Sequence, residues 1–131
     1  MLTIDLDSPV PLAEQVRVGI RHAIAGGEVR PGDSLPAVRQ LAGDLGINFN
    51  TVARAYRELE QEGLVVSRRG RGTVVAASES SGGASVEREA RIAESIRRLL
   101  ADARLAGMGE ATVMQMFERE MKNLWPKESE A

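Results

Sequence analysis

The chain has 131 residues, with 17 Lys and Arg against 19 Asp and Glu, for a formal net charge of −2. That length accommodates one compact domain, or a small domain with an appendage. With no cysteine and one histidine, His22, disulfides and thiolate metal sites are excluded, and neither a metal nor a cofactor is expected.

No apolar run reaches membrane-spanning length and the amino end lacks a signal-peptide core, so the expectation is a cytoplasmic protein without a membrane partner. Residues 1–76 carry nine basic and nine acidic side chains, and residues 77–131 carry eight and ten. Neither half is a basic domain, so an anion-binding surface must arise from local placement of charge.

In chain order, "TIDL" (Thr3–Leu6) predicts a short strand. A helix follows in "PLAEQVRVGIRHAIAGG": Leu12, Val16, Ile20 and Ile24 lie four apart, Pro11 suits the first turn, and Gly26-Gly27 ends it. "EVRPGDSLP" reads as a turn punctuated by Pro31-Gly32. The next helix lies in "PAVRQLAGDLG", with Val38, Leu41, Ala42 and Leu45 facing inward and Gly46 stopping it. Another lies in "INFNTVARAYRELEQEG", with Asn48 as N-cap and Gly63 beyond its end. These two helices, of about 10 and 13 residues around a glycine turn, have the helix-turn-helix spacing.

At 100° per residue the second helix separates two faces. Val52, Tyr56 and Leu59 form the buried one. Asn50, Arg54, Arg57 and Gln61 form the opposite one, which is rich in donors, with Glu58, Glu60 and Glu62 crowding its flanks and far end. Such a face is either simply solvated or reads DNA in the major groove, where Asn and Arg bond base edges.

"VVSRRGRGTVV" follows directly. β-branched pairs flank a tip of arginines and glycines, which predicts a hairpin. Its arginines are expected on a protruding edge where they cannot pair internally, suited to an anionic partner such as a minor groove.

"AASESSGGAS" reads as a linker, followed by a helix over residues 86–106, a break at "GMG", a helix from Glu110 to Lys122, and a fraying "PKESEA". The predicted organisation is a DNA-binding domain over 1–76, a linker over 77–85 and a helical tail over 86–124. The expected fold class is mostly α: a winged helix-turn-helix of three helices and a hairpin wing, followed by a two-helix dimerisation tail.

Residues Pro11–Val75 resemble the DNA-binding domain of GntR-type bacterial transcription regulators, through "GEVRPGDSLPAVRQLA", "NTVARAYREL" and "RGRGT". The resemblance implies that Arg39 reads guanine, that Asn48, Phe49, Asn50 and Thr51 touch bases and phosphates, and that Gly70 enters the minor groove flanked by Arg69 and Arg71. Asn48-Phe49 stands where many members have Ser-Arg, so Phe49 offers apolar contact in place of a guanine-reading arginine. Ala37 replaces a common serine, removing a phosphate contact. The "N-x-N-T" form resembles the YtrA-like subgroup, whose short two-helix tail dimerises. Arg54 is expected to touch phosphate rather than a base. Two alternatives stay open: a surface pair of Arg39 with Asp33 or Asp44, and a solvated pairing of Arg57 with Glu60 or Gln61.

In the tail, Ile92, Ile96, Leu99 and Ala103 make a narrow seam that Leu100 widens. Val113, Phe117, Met121 and Leu124 form a second stripe. Two such helices cannot bury both stripes against each other. Packing back onto the first domain and a cofactor pocket are alternatives, and a homodimer is favoured. A two-fold dimer implies a palindromic double-stranded operator with half-sites about one helical turn apart. About 45 residues beyond the linker leave room for a small-molecule effector only at the dimer interface or between tail and DNA-binding domain, where Met114, Met116, Met121 and Trp125 could adapt to it. No residue pattern calls for one.

The functional expectation is a sequence-specific transcription regulator, acting as a repressor. The alternative is a winged-helix protein-interaction module that oligomerises through its tail. Catalysis is not expected: no nucleophile–base pair is in view, and "GRG" is not followed by a helix, as a phosphate loop would require.

Overall fold

Pro11 introduces the first helix, α1 (Leu12–Ala25), from the N-cap position, where its φ of −55° is already that of a helix start. The structure, a computed structural model, describes residues 2–77 and 86–126. It divides into two units, 1–78 and 79–131. Residues 78–85 of the expected linker and the terminal 127–131 lie outside the described residues.

The stripe on α1 is buried where its period predicts, with Val16 and Ile20 wholly enclosed and Ala23 beside them. α2 (Val38–Leu45) and α3 (Phe49–Gln61) follow. α3 is the hub, because α1, α2 and the first strand all pack on it. Its buried face is Val52, Ala55, Tyr56 and Leu59. Leu35, Leu41, Ala42, Val65 and Val75 complete the core cluster.

The α2–α3 turn explains the relative placement of the two helices. Gly46 adopts φ +69°, a left-handed conformation that costs glycine little and a Cβ-bearing residue more. Its N–H bonds the Gly43 carbonyl at 3.3 Å, and the Ile47 N–H bonds that of Ala42 at 3.0 Å. This pair of bonds terminates the helix by satisfying carbonyls that would otherwise lack partners.

The hairpin comprises β1 (Val65–Arg68) and β2 (Gly72–Val75), antiparallel with Val65 opposite Val75 and Arg68 opposite Gly72. β2 also has a second neighbour that sequence reading treated only as a turn. Ser34 bridges to Val74. The Leu35 N–H donates to the Thr73 carbonyl at 2.8 Å, and the Val75 N–H to the Asp33 carbonyl at 2.8 Å. The segment before α2 therefore backs the hairpin and ties it to the helix-turn-helix.

The expected strand at Thr3–Leu6 does not form. A glutamine side chain takes over the backbone pairing there: the Asp5 N–H donates to Gln15 Oε1 at 2.9 Å, and Gln15 Nε2 donates to the Asp5 carbonyl at 3.0 Å. Leu2 and Ile4 still pack against the core, and Leu2 crosses α1 at Gly19, where an added Cβ would lie 3.0 Å from the leucine Cβ.

Tyr56 is the polar pin of the core. Its hydroxyl donates to the Pro36 carbonyl at 2.6 Å, joining α3 to the entry of α2. Burial pushes the Tyr56 hydroxyl up from 10.0 to about 12. A raised folded-state value means this contribution to stability is complete below pH 10 and is lost as pH rises towards 12. Tyr56→Phe is expected to cost about 1 kcal/mol at neutral pH, since the Pro36 carbonyl loses its donor. It should also make the thermal midpoint less sensitive to pH above 10 than in the unsubstituted protein. Thermal melts across that range check both effects.

The second unit contains α4 (Val86–Leu105) and α5 (Glu110–Leu124), and no residue of either is buried. No described helix is long and apolar enough to cross a membrane.

Candidate nucleic-acid interface

Three elements of the first unit carry the predicted residues: α2, the amino end of α3, and the hairpin tip. Arg39 is the second residue of α2 and is exposed. It makes no ion pair with another described residue, and neither Asp33 nor Asp44 engages it. The Asp33 carboxylate instead accepts the Arg30 N–H at 2.8 Å, bracing the Pro31-Gly32 turn.

At the start of α3, Asn48 is the expected N-cap, its Oδ1 accepting the Asn50 N–H at 2.7 Å. This fixes the Asn48 side chain and leaves its amide NH2 as the donor. Phe49 is 49% exposed, an unusual apolar side chain to display at a helix start. Asn50 is exposed and Thr51 half-buried. Arg57 and Gln61 are exposed farther along, and Arg57 forms neither of the pairings left open for it. Positive partial charge at this helix end adds a field favourable to an anion.

Arg54, expected to touch phosphate, has a carboxylate partner within the chain. It is paired, Nε to Glu58 Oε1, at 3.2 Å. Glu58 in turn lies 3.5 Å from Arg17 Nε on α1. Arg17 also meets Glu62 at 3.0 Å and Glu14 at 3.5 Å, and Arg21 meets Glu62 at 3.1 Å. One turn along the helix was enough for the sequence to suggest Glu58 as a flank, whereas its tether to α1 had no local signal.

The hairpin tip turns at Arg68–Arg71, closed by the Arg71 N–H to the Arg68 carbonyl at 3.1 Å. Gly70 sits at the third position with φ +82°, the conformation that a type II turn requires there. Arg68 and Arg69 are exposed, and among the described residues neither has an ion-pair partner. The expectation that the tip arginines cannot pair internally fails at Arg71, whose Nη2 donates to the Gly32 carbonyl at 2.7 Å. The cause is the unforeseen pairing of residues 32–35 with β2, which brings Gly32 alongside the tip. Ser67 Oγ donates to Glu60 Oε2 at 3.2 Å, tying the hairpin to the end of α3.

The predicted seam residues of the tail are displayed. Ile92, Ile96, Leu99 and Leu100 are 43–55% exposed, and Met121 is 52% exposed. Val113 and Phe117 are half-buried.

A helix-turn-helix with an adjoining hairpin, backed by a short bridge, defines the winged helix-turn-helix class of protein. The model for bacterial regulatory proteins of the gntR family matches residues 12–75. The HTH-type transcriptional repressor YtrA of Bacillus subtilis (strain 168) is 40% identical over 109 residues, which are 82% of this chain and 82% of that relative. The chain belongs to the gntR family. Among solved structures, YtrA from Sulfolobus acidocaldarius, a GntR-family transcription factor, superposes with a TM-score of 0.60 at 38% identity, covering 76% of this chain and 97% of that one. The DNA-binding domain of AraR in complex with operator ORX1 superposes with a TM-score of 0.52 at 29% identity, covering 57% of this chain and 96% of that one.

Proposed function

We propose that the protein is a transcription repressor that binds a palindromic operator as a homodimer and acts by occluding a promoter. The observation that carries this reading is the exposed polar surface of α2, α3 and the hairpin, where Arg39, Arg57, Arg68 and Arg69 have no ion-pair partners among the described residues. A near-neutral domain that leaves these cations unpaired on one motif suits an external anion. Relatives support the assignment: one is described as a repressor and one was solved on operator DNA.

In this reading α3 enters the major groove amino end first. Asn48, Asn50 and Thr51 contact bases and phosphates, and Phe49 meets a thymine methyl. Arg39 reads a guanine from the start of α2. Gly70 allows the tip to approach the minor groove, Arg69 enters it, and Arg71 braces the tip through Gly32. The tails join two chains through Ile92, Ile96, Leu99, Leu100, Val113, Phe117 and Met121. The protein works in the cytoplasm, where its DNA partner lies.

Selection from a random duplex library at physiological salt tests the whole. Enrichment of an inverted repeat is the expected result, and retention without sequence preference counts against it. Arg69→Ala should weaken every duplex alike and lower the slope of log affinity against log salt by about 1. Loss confined to one base position would reassign Arg69 to base reading.

A further inference from the structure

The cluster of charges behind α3 goes beyond holding helices together. It has an anchored end and a free end. Arg17 is the anchored one: its side chain is 20% exposed and it meets Glu14, Glu58 and Glu62. Arg54 is the free one: its side chain is 68% exposed and its ion-pair partner is Glu58. Arg54 shares the face of α3 with Asn50, Arg57 and Gln61, so it lies on the side offered to DNA.

We propose that Glu58 sets the strength of DNA binding by holding Arg54 in a pair that a phosphate displaces. This rests on the DNA-binding reading above. The exchange is feasible because an exposed pair four residues apart on a helix is weak. Glu58 also keeps a cation when Arg54 leaves, since Arg17 Nε stays 3.5 Å away on another helix. The carboxylate is therefore never stranded, and Arg54 swaps one anion for another. The cost of breaking the pair is subtracted from every protein–DNA complex regardless of sequence. Glu58 thereby lowers affinity for all duplexes alike and leaves base discrimination to other residues. Weak general binding favours a regulator that must leave bulk DNA to find one site.

A double-mutant cycle on a mixed-sequence duplex at fixed salt tests this in the full chain. Glu58→Gln should tighten binding about two- to fivefold. In an Arg54→Ala background the same change should gain less than about 1.3-fold, because its route through Arg54 is gone. Equal gains in both backgrounds would overturn the proposal and leave Glu58 as an unspecific negative charge, and no gain, or a loss, would overturn it outright. A measurement on the unsubstituted protein guards against a misfolded variant. The Arg54 Nε–H resonance should move when duplex is added, to a phosphate-bonded position distinct from the unpaired one it holds in free Glu58→Gln, and a resonance that stays fixed in saturating DNA, or that moves only to the unpaired position, overturns the exchange. Absence of any DNA binding by the unsubstituted chain defeats the function itself, whereas binding with equal gains defeats this inference alone.

Discussion

Arg39→Ala is expected to lose about 1–3 kcal/mol of affinity at the preferred operator, and to lose it at one base pair. The size follows from how the side chain is mounted. Arg39 stands one residue into α2. The chain entering that helix is held by the Tyr56 hydroxyl on the Pro36 carbonyl at 2.6 Å and by the Leu35 N–H on the Thr73 carbonyl at 2.8 Å. A guanidinium on a fixed base can present two N–H groups to guanine O6 and N7 with little further ordering. No described carboxylate has to be displaced first. Titrating the variant against operators substituted at each position should show a flattened preference at one guanine and an almost unchanged affinity for generic duplex. A uniform loss across all sequences would instead place Arg39 on a phosphate.

Ile96→Asp is expected to have a still larger effect on operator binding while leaving the first unit folded. Ile96 is 43% exposed in the single chain, and Ile92, Leu99 and Leu100 beside it are comparably displayed. Covering an aliphatic side chain contributes about 1.5–3 kcal/mol when burial is complete, so a paired seam of this kind is strongly favourable. A carboxylate at its centre must be desolvated without a partner and should abolish pairing. Sedimentation should then report a single chain at micromolar concentrations where the unsubstituted protein reports two. Operator affinity should fall by about 100-fold or more, because the second half-site is no longer reached as an intramolecular event. Binding of one domain to generic duplex should change little. A variant that remains two chains and retains operator affinity would remove the tail seam from the dimer.

Much of the molecule was legible because its signals are local. Val16 and Ile20, or Val52, Tyr56 and Leu59, repeat with the helix period, and the period alone identifies the inward face. At Gly46 and Gly63 the helices end through bonds of the glycine N–H across three residues and of the next N–H across five, and Asn48 caps across two. Where such a signal was weak the reading failed. The strand expected at Thr3–Leu6 does not form: Leu2 and Ile4 pack against the core, but Gln15, ten residues on, takes the backbone bonds of Asp5.

The order of the helices and the hairpin, their inward faces, the winged helix-turn-helix and the outward placement of Asn50 and Arg69 follow from the amino-acid sequence by itself, since each depends on neighbours within a turn or two. Which cations are already engaged was decided only in three dimensions. Arg71 reaches Gly32 across 39 positions, and Arg17 reaches Glu62 across 45 and thereby helps steady the cluster in which Glu58 holds Arg54. Such partners are chosen by how helices and the hairpin pack, and no spacing along the chain encodes a contact made after the chain has folded back on itself.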